Sequence, residues 1–81
     1  MPYIKTERRA EIDVNDASAK VAGELNYRLT KEIQRYWVNS ARNYQAINDI
    51  IGALEGAKAE FQRRIVVPYE DNKIQENGDV Y

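Results

Sequence analysis

Tyrosine and arginine are the side chains of this sequence best suited to binding chemistry. Six of its 81 residues are tyrosines, and most of these alternate along the chain with arginines. An aromatic face stacks on a nucleobase, and a guanidinium fork grips phosphate through two hydrogen bonds. The same two residue types also suit protein interfaces, because both combine flat apolar area with hydrogen bonding. The pattern therefore favours binding and leaves the class of ligand open.

Nine residues are candidates for contacting a small nucleotide. Tyrosines would stack on a base, basic side chains would meet phosphates, and asparagines would contact sugar or base edges: Tyr27, Tyr36 and Tyr69; Arg28, Lys58, Arg63 and Arg64; Asn26 and Asn48. Each group has a structural alternative. The tyrosines could cover a small core, Arg63 and Arg64 could pair with Glu70 or Asp71, and the asparagines could form hydrogen bonds between helices.

Catalytic and metal-binding patterns are missing from the sequence. Histidine and cysteine do not occur, so there is no standard general base for a nucleophilic triad and no usual zinc ligand. No glycine-rich phosphate loop is present, and the acidic residues near the C-terminus do not match a calcium loop. We therefore expect no enzymatic activity, no cofactor and no metal.

Charge and hydropathy narrow the range of partners. The formal net charge is -1 and the isoelectric point is near 5.4, whereas domains that bind duplex nucleic acid are strongly basic. No apolar run approaches the roughly 18 residues of a membrane span, and the first residues lack the apolar core of a signal peptide. We expect neither duplex nucleic acid nor a membrane as partner, and a cytoplasmic location.

Two amphipathic helices form the predicted framework. The longer covers about residues 44–66, where apolar residues recur at steps of three and four: Ile47, Ile50, Ile51, Leu54, Ala57, Phe61 and Ile65. Asn43 is its predicted N-cap, and Pro68 is predicted to end it. The second helix covers about residues 24–38. A short connection at Asn39–Ser40 predicts that the two pack as an antiparallel helical hairpin in an all-α fold.

The remaining segments are assigned to the ends of a single domain. Residues 1–15 form an N-terminal arm with a short docked helix, and residues 16–66 form the core. Within the core, a short helix over residues 16–22 would be capped by Asn15 or Asp16 and would break at Gly23. Residues 67–81 form a tail with one or two helical turns over Tyr69–Glu76, stopped at Asn77–Gly78. Its apolar residues predict that the tail docks on a neighbouring helix or subunit.

The small size of the chain predicts a homo-oligomer. A domain of 81 residues without cysteine has little core and no disulfide, so self-association is the remaining source of stability. Gly52 and Gly56 lie inside the best helix, where each costs about 1 kcal/mol relative to alanine. They provide a surface that another backbone can approach closely, either within the chain or in a second subunit, or that leaves room for a ligand.

Four stretches of the sequence resemble a family of short uncharacterised proteins of bacteriophages and bacterial genomes. They are the MPYI start, GELNY at Gly23–Tyr27, NDIIGALEGAKAEFQRR at Asn48–Arg64, and the ending PYEDNKIQENGDVY. The resemblance spans nearly the whole chain but implies no settled function and no catalytic residue. It also suggests a comparison with small phage proteins that sequester cyclic nucleotide signals between subunits. This chain resembles those proteins in general character but shares no sequence motif with them.

The function expected from these observations is sequestration without catalysis. A phage-type anti-defence protein would hold a small nucleotide immune signal, of the cyclic ADP-ribose or cyclic dinucleotide type, in pockets between subunits. A helical hairpin of this size cannot enclose a ligand of several hundred Å³ alone. Two alternatives stay open: a protein-binding inhibitor or adaptor that acts through a helix face, and a structural component of a phage.

Overall fold

The computed structural model describes residues 1–81 and is helical throughout, with no β-strand. Four α-helices and one π-helical turn follow one another: α1 (Thr6–Asn15), α2 (Ala22–Val38), α3 (Tyr44–Phe61), the π-turn (Gln62–Val66) and α4 (Val67–Asn77). The predicted all-α class is confirmed. None of these helices combines the length and the apolar character that crossing a bilayer requires.

The chain divides into two structural units. The N-terminal unit is Met1–Ala46 and contains α1, α2 and the start of α3. The C-terminal unit is Ile47–Tyr81 and contains the rest of α3, the π-turn, α4 and the last residues. Both predicted long helices are present, while their packing as an antiparallel hairpin and the self-association of the chain stay predictions.

Within the N-terminal unit, α1 packs on α2 around two buried side chains. Ile12 of α1 and Tyr27 of α2 are only 7% and 8% exposed. The Tyr27 hydroxyl donates a hydrogen bond of 2.7 Å to the Asp13 carboxylate, which satisfies the polar end of a ring that is otherwise surrounded by the protein. The expectation of a short docked helix near the N-terminus is confirmed.

The segment between α1 and α2 differs from the prediction. Residues 17–21 are not helical, so the predicted short helix over residues 16–22 is wrong. Asp16 does not begin a helix but ends α1: its backbone is left-handed, with φ 51° and ψ 41°, and its N–H bonds to the Glu11 carbonyl. A short polar side chain tolerates this conformation better than most residues do.

Gly23 belongs to the first turn of α2 rather than to a break between helices. A Cβ atom at this position would lie 3.1 Å from the Met1 carbonyl oxygen and 3.4 Å from Cγ2 of Ile4. The absence of a Cβ atom at Gly23 therefore permits the close approach of the N-terminal arm.

The connection from α2 to α3 follows the prediction. Helix α2 ends at Val38, and the Ser40 hydroxyl donates to the Trp37 carbonyl at 2.7 Å. Helix α3 starts at Tyr44, and the Asn43 side-chain oxygen accepts a hydrogen bond of 3.0 Å from the Ala46 N–H. The predicted N-cap at Asn43 is confirmed, because an asparagine side chain satisfies a backbone donor that the first helical turn leaves free.

Pro68 does not end the long helix, contrary to the prediction. The helical backbone continues from Tyr44 to Asn77 through the π-turn, in which the Val67 N–H bonds to the carbonyl of Gln62, five residues earlier. This wider turn starts a new helical segment with the proline in its first turn, where a missing N–H is tolerated. The one or two turns predicted over Tyr69–Glu76 are thus part of an 11-residue helix.

The C-terminal unit contains no buried side chain. Only Ile50 and Val66 are partly covered in it, and all its other residues are exposed. Helix α4 stops at Gly78, whose positive φ of 87° confirms the predicted stop, and the Gly78 N–H bonds to the Ile74 carbonyl. Val80 and Tyr81 are almost fully exposed. The docking of the tail on a neighbouring helix or subunit stays a prediction.

We predict that Ile12→Ala lowers the free energy of unfolding by about 2 to 3 kcal/mol, because the change leaves a cavity where a buried side chain stood, in a unit with few buried side chains. Chemical denaturation followed by circular dichroism measures the loss. Val14→Ala is the matched control on the same helix; since Val14 is 79% exposed, its effect should stay within about 0.5 kcal/mol. Equal losses in the two variants would contradict the packing of α1 on α2.

We also predict that Gly52→Ala stabilises the chain by about 1 kcal/mol, because alanine favours the helix and its Cβ would meet no atom within 4 Å. Gly23→Ala is the contrasting variant, since its Cβ meets the N-terminal arm, and the gain there should be absent or reversed. Thermal denaturation of the two variants shows whether each substitution raises or lowers the stability.

Candidate functional site

An open groove lies between α1 and α2 in the N-terminal unit. Its volume is about 970 Å³, within the range of small-molecule sites. Ile12 and Val38 contribute apolar surface. The charged lining comes from both helices: Asp13 and Asp16, and Arg28, Lys31, Glu32 and Arg35. The groove therefore presents three basic and three acidic side chains.

The basic side chains of the groove differ in how firmly they are held. Arg28 donates to the Ala17 carbonyl at 2.7 Å and to the Asp16 carboxylate at 2.8 Å, so it also fixes the loop after α1. Arg35 pairs with Glu32 at 3.1 Å, and both side chains are about 70% exposed. Exposed ion pairs contribute at most about 1 kcal/mol, so a stronger anion can compete for Arg35. The Lys31 ammonium lies 6.0 Å from the centre of the Tyr27 ring.

A smaller depression adjoins the groove at the C-terminal end of α2. It has a volume of about 400 Å³ and is lined by Tyr36, Asn39 and Ser40 together with Glu32 and Arg35, which also line the groove. Tyr36 is 50% exposed and provides an aromatic surface, and Asn39 provides an amide. The helix C-terminus carries a partial negative charge, so this end favours a base or sugar over a phosphate.

A pair of largely buried charges fixes the opposite end of α2. Arg8 contacts the Glu24 carboxylate at 2.9 Å, with side chains 19% and 14% exposed, and also donates to the Ser18 carbonyl. The Arg8 hydrogen bond, aided by a backbone N–H from Lys20, lowers the pKa of Glu24. The hydrogen bond from the Tyr27 hydroxyl to the Asp13 carboxylate raises the pKa of Tyr27. These contacts hold the walls of the groove in place.

The candidate nucleotide-binding residues of the N-terminal unit differ in how accessible they are to a ligand. Tyr27 is buried and its hydroxyl is bound to Asp13, so its ring is not free to stack on a base. Asn26 is exposed, and its side-chain oxygen accepts from Thr30 within α2 rather than across to another helix. Arg28 and Tyr36 line the groove and the depression, respectively.

The candidates of the C-terminal unit lie on the exposed surface of α3, the π-turn and α4. Arg63 and Arg64 form ion pairs of 3.0 Å with Glu60, so the predicted partners Glu70 and Asp71 are wrong. Glu60 is one turn before both arginines, and their hydrogen bonds lower its pKa. The Lys73 ammonium lies 5.6 Å from the Tyr69 ring centre. Asn48 and Lys58 are exposed on α3.

Lys31 and Arg35 were missed as candidate residues by the sequence reasoning. With Arg28 they recur at steps of three and four, which places three basic groups on one face of α2. This spacing could have identified Lys31 and Arg35 as candidates from the sequence. The sequence could not show that α1 would form the other wall of the groove, because that wall depends on tertiary contacts between α1 and α2 such as the hydrogen bond from Tyr27 to Asp13.

These features define a small all-α protein with an open, charged groove and no group of acidic side chains arranged to hold a metal ion. Residues 1–80 match the family described as Domain of unknown function (DUF6899), and the chain belongs to that family. No curated protein and no solved structure matches the chain. The resemblance to an uncharacterised family is therefore confirmed, whereas its connection with phages stays a prediction.

We predict that Glu24→Gln reduces the loss of stability in acid. The pKa of Glu24 is lower in the folded chain than in the unfolded one, so its contribution is present above the ordinary glutamate pKa and is lost as the pH falls through the folded value. The midpoint of thermal unfolding, measured from pH 7 to pH 3, should therefore fall less steeply in this variant than in the parent chain. Glu7→Gln, on α1, is the control; an identical acid response in both variants would contradict the role of the Arg8–Glu24 pair.

Proposed function

We propose that this protein binds and sequesters a small nucleotide signal of the cyclic dinucleotide or cyclic ADP-ribose type, without turning it over. The observation that carries the proposal is the groove with its adjoining depression: three basic side chains lie beside an exposed tyrosine and an asparagine. Phosphates would meet Arg28, Lys31 and Arg35, and a base would stack on Tyr36.

Closure of the site by a second copy is part of the proposal. The groove is open along its length, whereas nucleotide sites usually bury most of the ligand surface. A second subunit placed over the groove would remove water from the ligand and strengthen its contacts with the arginines. This arrangement suits sequestration, which needs affinity and slow release. In the setting suggested by the sequence resemblance, the protein would act as a phage-type anti-defence protein in the cytoplasm of the host.

The exposed apolar surface of α3 favours a second candidate function. Ile47, Ile51 and Phe61 are 42 to 59% exposed, as expected of a helix that receives a partner. A protein-binding inhibitor or adaptor would use this surface to hold a host or phage protein, by packing of one amphipathic helix against another. Such a protein would show no response to nucleotides and would co-purify with its target.

A thermal-shift series separates these functions. Cyclic dinucleotides, cyclic ADP-ribose isomers and ADP-ribose conjugates are added in turn, and a ligand at 100 times its dissociation constant should stabilise the folded chain by about 2.7 kcal/mol. Recovery of the unchanged nucleotide after denaturation distinguishes sequestration from turnover. No stabilisation by any member of the series, together with a co-purifying protein, would favour the inhibitor or adaptor.

We predict that Arg35→Ala weakens nucleotide binding roughly 10- to 100-fold, because it removes a charge-assisted hydrogen bond to phosphate. Isothermal titration calorimetry measures the change, and circular dichroism checks the fold. Arg42→Ala, in the loop after α2, is the matched control and should bind like the parent chain. Arg64→Ala tests the other candidate surface: if it abolishes binding while Arg35→Ala does not, the ligand lies on the C-terminal unit and the groove assignment is wrong.

A further inference from the structure

One asparagine in the chain is followed directly by glycine. Asn77 is the last residue of α4, and Gly78 follows it at the helix end. The side-chain carbonyl carbon of an asparagine lies within reach of the next backbone nitrogen, which contributes to the thermal lability of this residue type. Glycine has no Cβ atom to hinder the approach to that nitrogen, and its backbone rotates readily. The Asn77 side chain is also exposed, so its own unit leaves it room to turn towards Gly78.

One hydrogen bond holds the backbone nitrogen of Gly78 at the end of α4. The φ of 87° and ψ of 152° at Gly78 take the chain out of the helix, and the Gly78 N–H donates to the Ile74 carbonyl at 2.8 Å. While this turn is closed, the N–H is engaged, and the helical backbone torsions of Asn77 hold its side chain out of the plane that a ring with Gly78 requires. The last turn of a helix opens at little cost in free energy, so this protection is lifted repeatedly.

We infer that Asn77 is a site of spontaneous deamidation, and that opening of the last turn of α4 controls its rate. In the open turn, the Gly78 nitrogen gives up its proton to solvent and forms a bond with the side-chain carbonyl carbon of Asn77, which closes a succinimide ring. The side-chain nitrogen takes up a proton and leaves as ammonia. Water then cleaves one of the ring C–N bonds. Cleavage at the side-chain carbonyl gives aspartate, and cleavage at the backbone carbonyl gives isoaspartate.

Both products disfavour the end of α4. Aspartate at this position adds a full negative charge at a helix C-terminus, which already carries a partial negative charge. Isoaspartate inserts an additional carbon atom into the main chain before Gly78 and so displaces the N–H that bonds to Ile74. Because ammonia is lost, the reaction does not reverse. An aged chain therefore differs from a new one in the last turn of this helix.

The pair Asn39–Ser40 provides a comparison at the end of another helix, since serine is also a small residue. The Ser40 N–H and hydroxyl donate to the Trp37 carbonyl at 3.1 Å and 2.7 Å, and the hydroxyl accepts from the Arg42 N–H at 3.1 Å. These three bonds restrain the residue after Asn39, whereas a single bond restrains the glycine after α4. Deamidation at the end of α4 should therefore come first.

Peptide mapping of the full chain tests the site. The protein is incubated at neutral pH and physiological temperature, and its peptides are separated and identified by mass spectrometry, with isoaspartate detected by enzymatic methylation. Aspartate and isoaspartate should accumulate at Asn77 before any product forms at Asn39 or at Asn72, which lies inside α4. Asn77→Gln is the control, because its longer side chain closes the corresponding ring far less readily. Products at Asn39 or Asn72 as early as at Asn77, or none at Asn77, would overturn the assignment.

Two substitutions at Gln75 test the control by the helix end, because this residue lies in the last turn, four residues after Asp71. Gln75→Lys places a cation near the helix C-terminus and opposite Asp71, and it should slow deamidation about two- to fivefold. Gln75→Glu places a like charge there and should accelerate deamidation by a similar factor. In concentrated urea, where the helix is absent, both variants should react at the rate of the parent chain.

The comparison in urea separates the helix from a direct effect of charge. Equal rates for the two folded variants would overturn the control by the helix end. A difference that persists unchanged in urea would overturn it too, since it would show that charge acts on the reaction itself. Neither measurement depends on nucleotide binding, so the result is independent of the proposed function.

Discussion

The packing of α1 on α2 is the contact on which the described groove depends. Ile12 and Tyr27 exclude water from this contact, and Tyr27 can be buried because Asp13 accepts its hydroxyl proton in a hydrogen bond. Arg8 adds a second link by joining Glu24 to the carbonyl of Ser18. Since Arg28 holds the same loop through Ala17, the helix contact, the loop and one wall of the groove form together. Loss of any one of them would alter the spacing of the charged side chains.

The sequence correctly predicted those helices and helix ends that depend on residues close together in the chain. Asn43 caps α3 because its side chain reaches a backbone donor three residues away, and the apolar periodicity identified both long helices. Pro68 shows where local rules were insufficient. A proline is incompatible with the interior of a regular α-helix, but the π-turn before it begins a new segment and places the proline in a first turn. Asp16 was predicted as a possible N-cap, whereas it ends α1 as a C-cap. Its short polar side chain suits both an N-cap and a left-handed C-cap.

The candidate site could be predicted in residue type but only partly in position. The abundance of tyrosine and arginine indicated binding chemistry, and Tyr36 and Arg28 do line concave surfaces. Tyr27 has the same side chain as Tyr36, yet it is buried, because only the fold of α1 determines which face of α2 is covered. For Arg63 and Arg64 the sequence offered several acidic partners. The structure selects Glu60, which lies one helical turn away and needs no tertiary contact.

The absence of buried side chains in residues 47–81 has a consequence for the protein during synthesis and at low abundance. The N-terminal unit leaves the ribosome first and has its own buried contact, whereas the later helices gain tertiary stabilisation only from surfaces outside their own unit. If a second chain supplies such a surface, mass action makes the persistence of these helices depend on the amount of protein in the cell. Dilution would then fray the C-terminal half and expose it to proteases, so turnover of the chain would itself respond to expression level.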